Sequence, residues 1–159
     1  MSITALEPTF ANTWRVDVDI ASSADSPNWK QVRGVNNFQP ALENTRVDVS
    51  DYDTDGWGAE AVVSRRWNLV TSTIKKIDPV TKQVDEALDF LREAADDLSL
   101  VHVRWYERFG ADGEAYEGWG SVEWAPQGGS PTDPNTVQIT ILGQGARNEI
   151  THPLAGSSA

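Results

Sequence analysis

Apolar and polar residues alternate from Trp14 to Ile20, with Trp14, Val16, Val18 and Ile20 set against Arg15, Asp17 and Asp19. Successive side chains leave a strand on opposite faces, so this two-residue period marks a strand with one buried side. The Ser-, Asp- and Pro-rich run from Ala21 to Asn28 reads as a turn. A second strand is expected from Trp29 to Phe38, stopped by Pro40. From Ala41 to Gly58 the pattern fails, and Glu43, Asp48, Asp51, Asp53 and Asp55 gather among scattered apolar residues. This stretch is expected to be a long irregular loop, of a length that compact domains reserve for function or leave disordered. A third strand, rich in Val, Thr, Ile and Trp, follows at about 62–76.

One helix stands out. Val84, Ala87, Leu88, Leu91 and Ala95 recur at helical spacing, and Asp85, Glu86, Asp89, Arg92, Glu93 and Asp96 cover the other face. Asp78-Pro79 supplies a start signal, which sets the helix at about 80–97. The remainder reads as β. Leu100 to Arg108 alternates Val101, Val103 and Trp105 against His102, Arg104 and Tyr106, and the Gly110–Gly113 stretch with its Asp-Gly pair predicts a hairpin turn. Glu114 to Trp124 returns as the partner strand. After a loop at Gly128 to Pro134, Thr136 to Gly143 forms a last strand, with Val137, Ile139 and Ile141 on one face. The tail from 151 to 159 is small and polar and is expected to be mobile. The order β, β, long loop, β, α, β, β, β predicts one mainly β domain over 1–159. Its expected form is an antiparallel sandwich or barrel with a single flanking helix.

Composition narrows the function. The 159 residues make one ordinary domain, which buries roughly 68–70% of its unfolded surface and needs no staple. Twenty-four acidic side chains against thirteen basic ones leave a net charge of −11. A protein that grips DNA needs a basic footprint, so this balance argues against one, and equally against an anionic membrane as partner. With no cysteine, disulfides, thiolate catalysis and Cys-type zinc sites are excluded. Neither a signal peptide nor an apolar run of the ~18 residues needed to span a bilayer is expected.

Candidate chemistry is sparse. Asp51-Tyr52-Asp53-Thr54-Asp55-Gly56 opens like a calcium-binding loop, with acids at positions one, three and five and Gly at six. Its twelfth position, however, is Val62 where a bidentate Glu is required, and Glu60 falls two residues early. The plainer reading is a turn-rich loop whose aspartates bond their own backbone. Two histidines, His102 and His152, give little material for a triad or a metal centre, so no catalytic residue, metal or cofactor is expected. Leu142-Gly143-Gln144-Gly145 lacks the following helix of a dinucleotide fingerprint. Of seven tryptophans, Trp14, Trp67 and Trp105 read as core. Trp29, Trp57, Trp119 and Trp124 could serve an interface or, in a carbohydrate-binding sandwich, a sugar platform.

Three motifs in order go beyond composition: Trp29-Lys30-Gln31-Val32-Arg33-Gly34-Val35-Asn36-Asn37-Phe38-Gln39-Pro40, then Asp51 to Gly58, then Arg66-Trp67-Asn68-Leu69. Together they resemble the major tail tube proteins of long-tailed (siphovirus-like) bacteriophages, especially those of actinobacterial hosts. The likeness covers about residues 14–150. It implies a structural subunit rather than an enzyme: a virion protein, made and assembled in the bacterial cytoplasm, whose rings stack around a conduit for DNA. By resemblance the rings are homohexamers, and the partners are a tape-measure protein, a tail terminator and tail-tip proteins, with DNA passing unbound.

The same resemblance implies that the long loop reaches a neighbouring subunit or ring. Its candidate contacts are Asp48, Asp51, Tyr52, Asp53, Asp55 and Trp57. Terminal arms, from Ile3 to Phe10 and Glu149 to Leu154, would join rings through Leu6, Phe10 and Ile150. Acids on polar strand faces, among them Asp17, Asp19 and Glu123, are candidates to line the lumen and repel DNA phosphates. The nearest alternative is the tube subunit of a related secretion or injection system.

Overall fold

The early alternation becomes strand β1 (Trp14–Asp19) in a computed structural model that describes residues 5–21, 26–110 and 112–154. Ile3, Ala111, the centre of the turn at 22–25 and the tail at 155–159 lie outside the described residues. The other elements are β2 (Trp29–Gln31), β3 (Val35–Asp48), β4 (Glu60–Ile74), α1 (Glu86–Asp97), β5 (Leu100–Glu107), β6 (Ala115–Pro126), β7 (Thr136–Gly143) and β8 (Asn148–Glu149). The strands form one sheet in the order β2-β1-β5-β6-β7-β4-β3, with β8 beside β6. Every pairing is antiparallel.

Strand β6 lets this sheet fold over. Its first half pairs with β5 from Ala115 to Ser121, and its second half pairs with β7 from Gly120 to Pro126. Trp105 on β5 and Trp67 on β4 stand three strands apart, roughly 14 Å in a flat sheet. Their ring centroids are 5.0 Å apart. The two halves therefore face each other across a shared core of Val16, Val18, Leu69, Val101, Val103, Val137, Ile139 and Ile141 around the two indoles. Helix α1 adds Ala87, Leu88, Leu91 and Ala94 to that core, packing beside Val122 and Trp124 of β6. Burying each leucine stabilises the fold by roughly 1.5–3 kcal/mol.

Three expectations need correction. The 41–58 stretch is not an irregular loop: β3 runs through Pro40 to Asp48 and pairs with β4 down to Asp48↔Glu60. Pro40 does not stop the strand because β3 is the sheet edge, where a missing N–H costs no ladder bond. Only 49–59 lies outside strand. The helix begins at Glu86 rather than 80, because the Asp78 carboxylate instead accepts the Val80 and Thr81 N–H groups, closing a turn. An isolated bridge between Ile77 and Val84 completes that turn. At the other end Leu98 takes the left-handed conformation (φ 58°) and the Ser99 N–H donates to the Ala94 carbonyl, ending α1.

Candidate assembly interface

Strand β7 supports β4 only from Asn68 to Ile74. Beyond it, Glu43 to Asp48 and Glu60 to Arg66 pair with each other alone, forming a two-stranded ribbon that leaves the core. Val47, Val62 and Val63 are exposed on it. At its end the chain turns through a short 3-10 segment, Tyr52–Thr54. The Asp48 carboxylate accepts the Ser50 N–H at 2.8 Å, and the Asp51 carboxylate accepts the Asp53 N–H at 2.9 Å. The Ser50 hydroxyl accepts the Ala59 N–H at 2.7 Å across the turn. Hydrogen bonds from the Ser50 hydroxyl, then from its N–H, hold the Asp48 carboxyl below its ordinary value. Asp55 and Gly56, at φ 52° and 83°, complete the reversal. Here aspartates shape backbone. Among the described residues no three His, Asp or Glu side chains group as ligands of one ion. Tyr52 projects fully into solvent, and Trp57 is 80% exposed.

The candidate lumen acids divide. Glu123 is exposed on β6. Asp17 and Asp19, expected on a wet polar face, are 2% and 0% exposed. Adding subunits only removes accessible surface, so neither carboxylate can line a water-filled channel. The reason is a polar cluster that covers the outward face of β1, β5 and β6. Asp17 bonds Arg104 Nε at 2.9 Å and Arg15 Nε at 3.3 Å. Asp19 accepts the N–H groups of Ala21 and Asn28, both at 2.9 Å, and so closes the turn between β1 and β2. His102 lies between Asp19 (3.4 Å) and Glu117 (3.3 Å). Its ring stacks on Trp119 at 4.8 Å and tilts against Trp29 at 4.7 Å, while Arg104 sits 4.6 Å over Trp29. Sequence patterning missed this cluster, since its polar residues alternate as solvent-facing ones do.

Of the arm residues, Leu6 and Phe10 are exposed, whereas Ile150 is half-buried and its N–H donates to the Ala115 carbonyl beside β8. The tail is not free from residue 151. His152 is 6% exposed, packs edge-on against Tyr106 at 5.3 Å, and its Nε2 lies 2.6 Å from the Glu107 carbonyl. The Leu154 N–H donates to Nδ1 at 3.0 Å. Both bonds are met with the ring proton on Nε2. Burial, then the nearby Asp17 charge, push the Tyr106 hydroxyl up.

Chains of solved tail and baseplate assemblies have a similar fold. The chain is similar to a subunit in the tail of an empty gene transfer agent particle with C6 symmetry, at TM-score 0.70 and 15% identity over 90% of this chain and 99% of that one. It is similar to the SPP1 tail tube, at TM-score 0.66 and 10% identity over 90% and 80%. A chain of the six-fold symmetrised anti-feeding prophage baseplate matches at TM-score 0.53 and 11% identity over 97% and 100%. At these identities the likeness establishes the fold. No protein-family model matches the sequence, and no curated protein matches it.

Proposed function

We propose that this chain is a tail tube subunit of a siphovirus-like virion, with six copies to a ring and rings stacked around a DNA conduit. The observation that carries this reading is the projecting ribbon, on a fold shared across 90% of the chain with a C6-symmetric tail. A monomer has no use for two strands that pair only with each other and leave both faces wet. Joined to neighbours, the same strand edges become assembly surfaces. A subunit whose two contact patches differ joins head to tail, which is how closed rings and stacked filaments arise.

The role is structural rather than catalytic. Six copies at −11 each carry −66 per ring, so passing DNA is repelled from the wall rather than held, with Glu123 as an exposed candidate for the lining. Tyr52 and Trp57, with Asp48, Asp51, Asp53 and Asp55, form the contact tip; Leu6 and Phe10 serve as arm contacts. The resemblance of the three sequence motifs supports an actinobacterial host, and a tape-measure protein, terminator and tail-tip proteins as partners. Negative-stain microscopy of the concentrated protein tests the reading: rings or tubes about six subunits round support it, whereas particles that stay monomeric with isolated tail tips as nuclei refute it. The baseplate likeness favours one second reading, a tube subunit of an injection system. Genome neighbourhood separates the two, because a tape-measure gene without a secretion ATPase points to a phage.

A further inference from the structure

Three arginines stand where the ribbon leaves the core, Arg65 on the strand face of Trp67 and Arg66 on the other face, opposite Glu43. Arg65 and Arg66 on β4 and Arg147 near β8 line an open groove of about 370 Å3 beside Leu42, Trp67 and Gly145. Arg65 and Arg66 are exposed, and the Arg147 guanidinium is set 4.0 Å over the Tyr116 ring. Among the described residues Arg15, Arg92 and Arg104 form ion pairs, whereas Arg65, Arg66 and Arg147, like Arg33, Arg46 and Arg108, form none. In a chain of net charge −11, Arg65 and Arg147, which line one groove and form no ion pair, suit an anionic partner.

The complement lies on the same chain. From Asp48 to Glu60 stand five carboxylates against one flanking cation, Arg46, which lines the turn beside Asp48 and Glu60, and Trp57 is exposed among them. This tip cannot fold back onto its own groove. Groove and tip belong to one ribbon of fixed register, in which Leu42↔Trp67 and Asp48↔Glu60 stand six residues apart along β3, roughly 20 Å. We propose that the acidic tip of one copy docks in the arginine groove of the next, an inference that rests on the tube reading. Carboxylates then face Arg65 and Arg147, and the Trp57 indole meets Leu42 or an arginine plane.

Absence of cysteine makes the test clean. Two single-cysteine variants, Asp55→Cys and Ala146→Cys, are mixed under mild oxidation, with the exposed Val80→Cys in place of Ala146→Cys as control. We expect roughly tenfold more tip-to-groove disulfide than tip-to-control, falling as salt screens the contact. In parallel, Arg65→Glu/Arg147→Glu and Asp53→Lys/Asp55→Lys should each stop tube formation while melting like the parent, and their equimolar mixture should restore it. Tubes from the groove-reversed variant at parental concentration, without preferential disulfide, overturn the proposal while the tube reading stands. Preferential disulfide in a parent that forms no ring supports the contact and removes the tube reading. Unchanged assembly with lost retention of DNA fragments would assign the groove to phosphates and overturn it.

Discussion

Gly143→Ala tests the core where it is tightest. The Trp67 indole, 2% exposed, lies across Gly118 of β6 and Gly143 of β7. A Cβ at 143 would stand 2.5 Å from Trp67 Cε2 and 2.6 Å from Nε1, where carbon contacts prefer 3.5–4.0 Å. The indole must therefore move by about 1 Å. It has nowhere easy to go: one side meets Trp105, and its Nε1–H donates to the Gly145 carbonyl at 3.1 Å. Overpacking costs about 1–3 kcal/mol. Losing the hydrogen bond adds about 0.5–1.5 kcal/mol. A loss of roughly 2–4 kcal/mol lowers the melting midpoint of a domain this size by roughly 4–16 °C. Thermal unfolding followed by circular dichroism reads this directly. In a Trp67→Phe background Cε2 and Nε1 are gone and only a ring carbon in the place of Cδ2 stays close, so the added methyl should cost about 1 kcal/mol less than in the parent, a coupling that the double-mutant cycle isolates. Equal cost in both backgrounds would show that the close approach to the indole is not what holds position 143 to glycine.

Trp105→Phe should destabilise less than Trp67→Phe, by about 1–2 kcal/mol in urea unfolding. The Trp105 N–H is buried without a partner among the described residues, whereas that of Trp67 is bonded; equal costs would contradict this. Asp17→Ala should cost roughly 2–4 kcal/mol by the same assay, because it strands Arg104, discounted from a fully buried pair by that side chain's 23% exposure. A change below about 0.5 kcal/mol would show the cluster to be decoration. Trp57→Ala should leave the melting midpoint of the monomer within about 1 °C while impairing assembly; an equal loss of monomer stability would place Trp57 in the core.

Strands were plain in the chain wherever apolar and polar residues alternate, in β1, β5 and β7, but burial follows that alternation only in β7, since β1 and β5 are buried on both faces. The ribbon was illegible for the converse reason. Residues 41–48 are exposed on both faces, so no apolar period exists to betray the strand, and Pro40 adds a false stop. The helix start was misread because Asp-Pro serves equally for a turn, and only the Ile77–Val84 bridge decides between them. Asp17 and Asp19 looked wet because a self-satisfying polar cluster and a solvated face have the same pattern. That His102 would gather Trp29, Trp119 and two carboxylates depends on the pairing of β1 with β5, Asp17↔Arg104 and Val18↔Val103, which joins strands far apart in the chain. The acidic, aromatic tip was legible from charge and composition; its arginine complement, split between β4 and residue 147, was not.

The ribbon also divides the molecule mechanically. A lone pair of strands is marginal in water, so Glu43–Asp48 and Glu60–Arg66 should exchange amide hydrogens long before the sheet around Trp67 opens. One polypeptide thus couples a stiff block to a compliant arm rooted at the last β7 contact. Copies linked through such arms behave as rigid beads on springs: neighbours can change spacing or tilt by flexing ribbon, without disturbing the packed interior. Any filament so built would bend at its joints and keep the bore of each ring constant.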